Sequence, residues 1–163
     1  MTSNDLEAAL GNAEDAFQRT PENPEFGLEY VTDPAVLQLR KACRLLDAAG
    51  FLLARNGHFT VIIESSFVAI ERSIQFYVEQ KGYDVAAQRH TEVYELGVQA
   101  GLFSDEIADR LERLWLENRS ESYYRTGIAG EYRAETIYRL AETLHAEVVQ
   151  LTRTQDCLCE GES

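Results

Sequence analysis

The stretch Thr60-Val-Ile-Ile63-Glu64-Ser-Ser-Phe67-Val-Ala-Ile70-Glu71-Arg-Ser-Ile74-Gln-Phe-Tyr77-Val-Glu-Gln-Lys81 decides the fold. Ile63, Phe67, Ile70, Ile74 and Tyr77 recur at alternating steps of four and three, the spacing that keeps side chains on one face of an α-helix. Apolar residues also spill around the rest of the turn, so this helix is expected at the centre of its domain rather than on its surface. Gly82 follows at once and supplies a stop.

The same rhythm extends in both directions. Upstream, Asp33 before Pro34 is a helix start, an N-cap acid ahead of a proline in the first turn. Val36, Leu39, Cys43, Leu46, Gly50 and Leu53 then mark one stripe as far as Arg55, with Asn56-Gly57 ending it. Downstream, the spacing predicts a short helix over about 89–100, closed by Gly101. A fifth helix opens at Ser104 with Asp105 and Glu106 in its first turn, and turns Ile107, Leu111 and Leu114 inward. A last helix over about 131–153 carries Ala134, Ile137, Ala141, Leu144, Val148 and Leu151. No strand-like alternation or internal repeat competes with these helices. Rods of about 30 Å joined by short connectors favour an all-α, antiparallel up-and-down bundle of four to five helices.

Residues 1–32 form an extension: a short helix with Leu6, Leu10, Ala13 and Phe17 in register, which Asn4 can cap, then a loop containing Pro21, Pro24 and Gly27. The bundle proper occupies 33–154, and 155–163 read as a polar tail. One domain of 163 residues suffices to bury one core. No run approaches the roughly 18 to 20 apolar residues needed to span a bilayer, and the first residues lack the order of a signal peptide, so a cytoplasmic location without membrane contact is expected.

Twenty-eight acidic residues against 15 basic ones give a net charge of −13, and of the basic residues only Lys41 and Lys81 are lysine. Abundant acid with scarce lysine points to a salt-adapted cell, where carboxylates retain water while molar salt shortens the Debye length to about 3 Å. An ordinary acidic protein is the alternative. The sequence holds no Walker A loop, G-x-G-x-x-G, G-x-S-x-G or H-E-x-x-H, which excludes the enzyme classes built on them.

Neither metal nor cofactor is expected from the spacings. Cys43 falls in an apolar stripe and reads as a small buried hydrophobe. Cys157 and Cys159 form a lone C-x-C with no second pair and no neighbouring His, leaving a zinc site short of ligands. Glu142-Thr-Leu-His145 has the E-x-x-H spacing of helical di-iron proteins, but those sites need two copies, so one Glu and one surface His is the expectation. His58 and His90 read as turn and cap residues.

Two polar features stand out against the apolar stripes. Glu64 and Glu71 lie seven residues apart on one face of the most apolar helix, where they need arginine partners or water. In Trp115-Leu-Glu-Asn118-Arg119-Ser-Glu-Ser-Tyr123-Tyr124-Arg125, a helix seam turns polar as the helix gives way to the Gly127 loop. Polar groups placed at the end of an apolar seam cost stability and are commonly kept for binding, catalysis or partner register. Asn118, Tyr123, Arg125, Glu64 and Glu71 are therefore candidate binding residues.

The segments Leu45 to Phe59, Glu64-Ser-Ser-Phe-Val-Ala69 and Lys81-Gly82-Tyr83 resemble the first long helices of HEPN domains, and His90-Thr91 with Leu114 to Tyr124 resembles their remaining body. The resemblance covers about Asp33 to Arg153. It implies a helical bundle that is often a homodimer, and in many members a metal-independent ribonuclease. The active motif there is an Arg followed after four to six residues by a His. Arg119 matches the Arg, and Tyr124 stands at the His position. A phenol with a pKa of about 10 is a poor base near neutrality. The resemblance thus implies a toxin–antitoxin-type or RNA-associated, nucleotide-binding module that works with a nucleotidyltransferase partner. The alternative is an endoribonuclease using Arg119 and Tyr124 as catalytic residues. A family member of purely structural role is a third reading.

Overall fold

A computed structural model of the chain describes residues 3–85, 92–123 and 127–159, and for Ser3 and 121–123 the backbone alone. Six α-helices follow in order: α1 Ser3–Gln18, α2 Pro34–Leu53, α3 Phe59–Gln80, α4 Glu92–Gln99, α5 Asp105–Glu117 and α6 Glu131–Thr152. A π-helical turn, Asn118–Tyr123, continues α5. Among the described residues there is no strand, and no helix is long and apolar enough to cross a membrane.

The start signals work as their chemistry requires. The Asp33 carboxylate accepts a hydrogen bond from the Ala35 N–H at 2.9 Å, with Pro34 at the first helical position. Ser104 Oγ accepts from the Ile107 N–H at 3.3 Å, with Asp105 and Glu106 in the first turn. Gly82 and Gly101 follow α3 and α4 with positive φ of 90° and 82°, the conformation glycine adopts most readily. At the amino terminus the helix already includes Ser3, so Asn4 lies inside α1 and cannot cap it.

α3 is the central rod. Ile62, Ile63, Ser66, Phe67, Ala69, Ile70, Ser73, Ile74, Phe76, Tyr77 and Val78 are all buried, because α2, α4 and α6 pack around it. Its two buried serines turn their hydroxyls back onto their own helix: Ser66 donates to the Ile62 carbonyl at 2.7 Å and Ser73 to that of Ala69 at 2.8 Å. That satisfies a polar group that would otherwise cost energy in the core.

Three pairings fix the helix directions. On α2 and α3, Gln38 meets Arg72, while the short connection Ala54 to His58 joins their other ends, so the two run antiparallel. On α6, His145 reaches Cys43 and Tyr138 reaches Gly50, so α6 opposes α2. Asn118 at the end of α5 meets Glu64 near the start of α3, whereas Gly97 of α4 lies against Ile74. α5 therefore descends along α3, and α6 climbs back.

Some stripe positions turn outward, Leu151 of α6 among them at 53% exposure. In α5, Ala108 and Leu111 are buried, whereas Ile107 and Leu114 are 39% and 36% exposed, because the α5 contact face is rotated toward Ala108. The stripe of α1 is in register as expected, but Leu6, Leu10 and Phe17 all face outward.

Candidate metal centre and polar corner

Three separate segments place thiols and an imidazole together. Cys43 lies mid-way along α2, His145 in the second half of α6, and Cys157 and Cys159 on the tail that follows α6. Their ligand atoms all lie within 4.8 Å of one another. Cys43 Sγ is 3.5 Å from His145 Nε2 and 3.5 Å from Cys157 Sγ. Nε2 is 3.4 Å from both Cys157 Sγ and Cys159 Sγ. None of the three cysteines is in a disulfide. Cys43 and His145 are buried, Cys157 is half-buried and Cys159 is exposed.

This arrangement overturns two expectations. The C-x-C tail has a His close by in space, 12 residues away along the chain, and Cys43 as a further sulfur across the bundle. His145 is buried at 4% exposure rather than on the surface. Glu142 is exposed and stands outside the cluster, so the E-x-x-H spacing supplies no pair of ligands, as expected. What mattered was the position of His145 on the buried face, next to Leu144 and one turn after Ala141.

The groups around the cluster orient it. Ser73 donates its one hydrogen to the Ala69 carbonyl, so its oxygen accepts at 2.8 Å from the Nδ1–H of His145. Nε2, facing the three sulfurs, is then the ring position that carries either a proton or a metal. Backbone amides point at two of the sulfurs: Leu158 N–H donates to Cys43 Sγ at 3.3 Å and Cys159 N–H to Cys157 Sγ at 3.4 Å. Such donors favour thiolate over thiol. Hydrogen bonds from Cys159 and Cys43 hold the Cys157 thiol far below the usual range, while the Cys159 thiol is pushed up as the donor of that pair. Burial opposes a charged imidazole, yet hydrogen bonds to Cys157 and Cys43 outweigh it and hold His145 up at about 9.

The polar corner lies at the other end of α3. Asn118, 9% exposed, donates from Nδ2 to Glu64 Oε1 at 2.7 Å. The partner of Glu64 is thus an amide, where an arginine or water was expected. The seam does not simply dissolve after Asn118: the backbone widens into the π-helical turn that reaches Tyr123. Such turns are rare and occur frequently at functional sites. Arg119 stacks its guanidinium 5.1 Å above the Trp115 ring. Between α3, α5 and α6 a cleft of about 120 Å³ is lined by Ile63, Phe67, Leu114, Glu117, Asn118, Arg133 and Ile137.

Asn118 and Glu64 are therefore brought together, and Arg119 lies beside them along the chain. Glu71 is not part of this corner. It lies near the buried hydroxyl of Tyr94, whose phenol is pushed up by burial and then by the Glu71 and Glu112 carboxylates. The Tyr123 side chain, Tyr124, Arg125 and His90 lie outside the described residues.

A search of the curated proteins and one of the solved structures return no match. A family model described as Domain of unknown function (DUF8154) matches residues 1–159, which takes in the amino-terminal extension, the bundle and both tail cysteines. The chain belongs to that family.

Proposed function

We propose that this chain is a HEPN-type dimeric helical module whose corner around Asn118 and Arg119 engages a protein partner of the nucleotidyltransferase class. The observation that carries the reading is the Asn118–Glu64 hydrogen bond. A buried amide and a half-buried carboxylate occupy the end of the α3–α5 seam, where apolar residues would pack at lower cost. The π-helical turn starts at that same asparagine and carries Arg119. A polar pair costing stability at the point where a helix is distorted is the pattern of a residue set kept for contact with something else.

Electrostatics favours a protein over RNA. A chain of net charge −13 repels a polyanion over most of its surface, and RNA binding would depend on a local arginine cluster. Arg113 and Arg133 are exposed, and with Arg119 they are the basic residues described near the corner. The missing motif His points the same way, since Tyr124 is a weak base at neutral pH.

The test is affinity capture from the native cell with tagged chain, followed by mass spectrometry. Recovery of a nucleotidyltransferase with wild-type chain, lost with Arg119→Ala and Asn118→Leu but kept with Cys159→Ser, supports the reading. Recovery of a homodimer alone rejects it. RNA cleavage in molar salt that disappears with Arg119→Ala would move the function to the endoribonuclease alternative.

A further inference from the structure

We propose that Cys43, His145, Cys157 and Cys159 form a closed, four-ligand Zn²⁺ site that fastens the carboxyl-terminal tail to the bundle. Nothing in the reading of the polar corner requires this site, and the two stand or fall separately.

The distances fit the ion. With Zn–S bonds of about 2.3 Å and Zn–N of about 2.0 to 2.1 Å, the edges of a tetrahedron are about 3.5 Å between nitrogen and sulfur and about 3.8 Å between sulfurs. Four of the six edges are 3.4 to 3.5 Å and the two sulfur–sulfur edges to Cys159 are within 4.8 Å, a set that side-chain shifts bring onto the metal. Three reduced sulfurs and one imidazole nitrogen converging on one point is a soft set. It suits Zn²⁺ and excludes Mg²⁺ and Ca²⁺, which take oxygen.

Three surrounding features belong to a ligand site more than to a chance meeting of cysteines. Ser73 holds His145 through Nδ1 and leaves Nε2 aimed at the sulfurs, the outer-shell arrangement by which proteins orient metal-binding histidines. The amides of Leu158 and Cys159 point at Cys43 and Cys157 sulfurs, compensating thiolate charge once the metal has displaced the protons. The exposed Cys159 closes the set from the solvent side and gives the ion a path in. On binding, the protons still held by the three sulfurs and by Nε2 are lost to solvent as the S–Zn and N–Zn bonds form. Three thiolates and a neutral imidazole leave the site with one net negative charge. Four protein ligands fill the tetrahedron and leave no position for water or substrate, so the site is structural.

The site also explains why a polar tail folds back against the bundle. Arg40 donates from Nε to the Asp156 carbonyl at 3.1 Å and from a terminal nitrogen to the Gly27 carbonyl at 3.0 Å. Leu158 fills the space where a side chain on Gly27 would stand. The tail between the two ends of this clasp therefore ties the loop after α1 to α2.

The experiment uses full-length chain purified under reducing conditions. Native mass spectrometry and elemental analysis are expected to give one zinc per chain. Replacement by Co²⁺ should give the intense visible bands of tetrahedral thiolate ligation. Cys159→Ser, a change at the exposed edge, should fold and lose most of the zinc. Ser73→Ala should keep all four ligands and bind zinc about 10- to 100-fold more weakly. Wild-type chain that is folded by circular dichroism yet carries no zinc and gives no tetrahedral Co²⁺ spectrum overturns the proposal. So does unchanged zinc affinity in Cys159→Ser, a stable disulfide among the three cysteines, or stoichiometric iron in place of zinc.

Discussion

The two polar clusters of this bundle both touch the central helix, one through Ser73 and the other through Glu64, and are built on opposite principles. At the Ser73 end the side chains are soft, come from three distant segments and close on one point. At the Glu64 end they are hard, one amide and one carboxylate, and the chain opens there into a π-helical turn beside a cleft. Glu64 and Ser73 stand nine positions apart on α3, about 13 Å of rod. The comparison teaches that polar groups in a core can either converge on one point from several segments or pair at the edge of a seam where the backbone itself changes form. The thiol–imidazole set satisfies one ion completely. The corner sets Arg119, half-exposed, on the face of Trp115 where the π-helical turn begins.

Metal removal should produce the largest effect and the cleanest separation. With free zinc about 1,000-fold above its dissociation constant, the site contributes about 4 kcal/mol. A chelator should then lower the melting temperature by about 10 °C in a chain of this length. Trp115 is the single tryptophan and sits at the corner, so its emission should stay constant during chelation below the melt. A spectral shift on chelation would show that the two ends are coupled through α3.

Asn118→Ala comes next. It leaves the half-buried Glu64 carboxylate without its amide, a loss of about 1 to 3 kcal/mol in urea denaturation with zinc content unchanged. Replacing both partners, Asn118→Leu with Glu64→Leu, should recover most of that stability while partner capture is lost. If the double variant still captures the partner, the corner is only a packing solution.

Gly27→Ala probes the metal end without touching a ligand. Gly27 has a φ of +83° and Leu158 lies where its side chain would go, so a cost of about 1 to 2 kcal/mol is expected. Faster protease cleavage between residues 153 and 159 should accompany it. A tail as protected as in the wild type would separate the clasp from that loop.

Arg119→Ala should be the mildest change to the fold. Its stacking on Trp115 is worth about 0.5 to 1 kcal/mol at a partly exposed site, so thermal stability should barely move while capture is abolished. Equal loss of stability and of capture would make Arg119 a structural residue.

Much of the bundle was legible before any coordinates. The alternating steps of three and four on α2, α3 and α6, the Asp33-Pro34 and Ser104 starts, and the Gly82 and Gly101 stops are local signals, each decided by groups within a turn or two of one another. The polar end of the α5 seam was legible for the same reason, since Asn118 falls where Leu111 and Leu114 lead the eye to expect another apolar side chain. Its partner was not. Whether Glu64 meets an arginine or an amide depends on which helix end packs beside it.

The thiol–imidazole cluster was hidden more deeply. Linear spacing connects Cys157 with Cys159, but Cys43 lies 114 residues from Cys157, and the only ligand type that spacing puts beside His145 is Glu142. Sequence by itself determined that there are several amphipathic helices, where most begin and stop, and which one is central, because those follow from short-range backbone chemistry and the period of the apolar stripe. Tertiary structure alone decided that α2, α6 and the tail meet at one point beside Ser73. Ligand convergence depends on how whole helices pack in three dimensions, and no one-dimensional spacing records that.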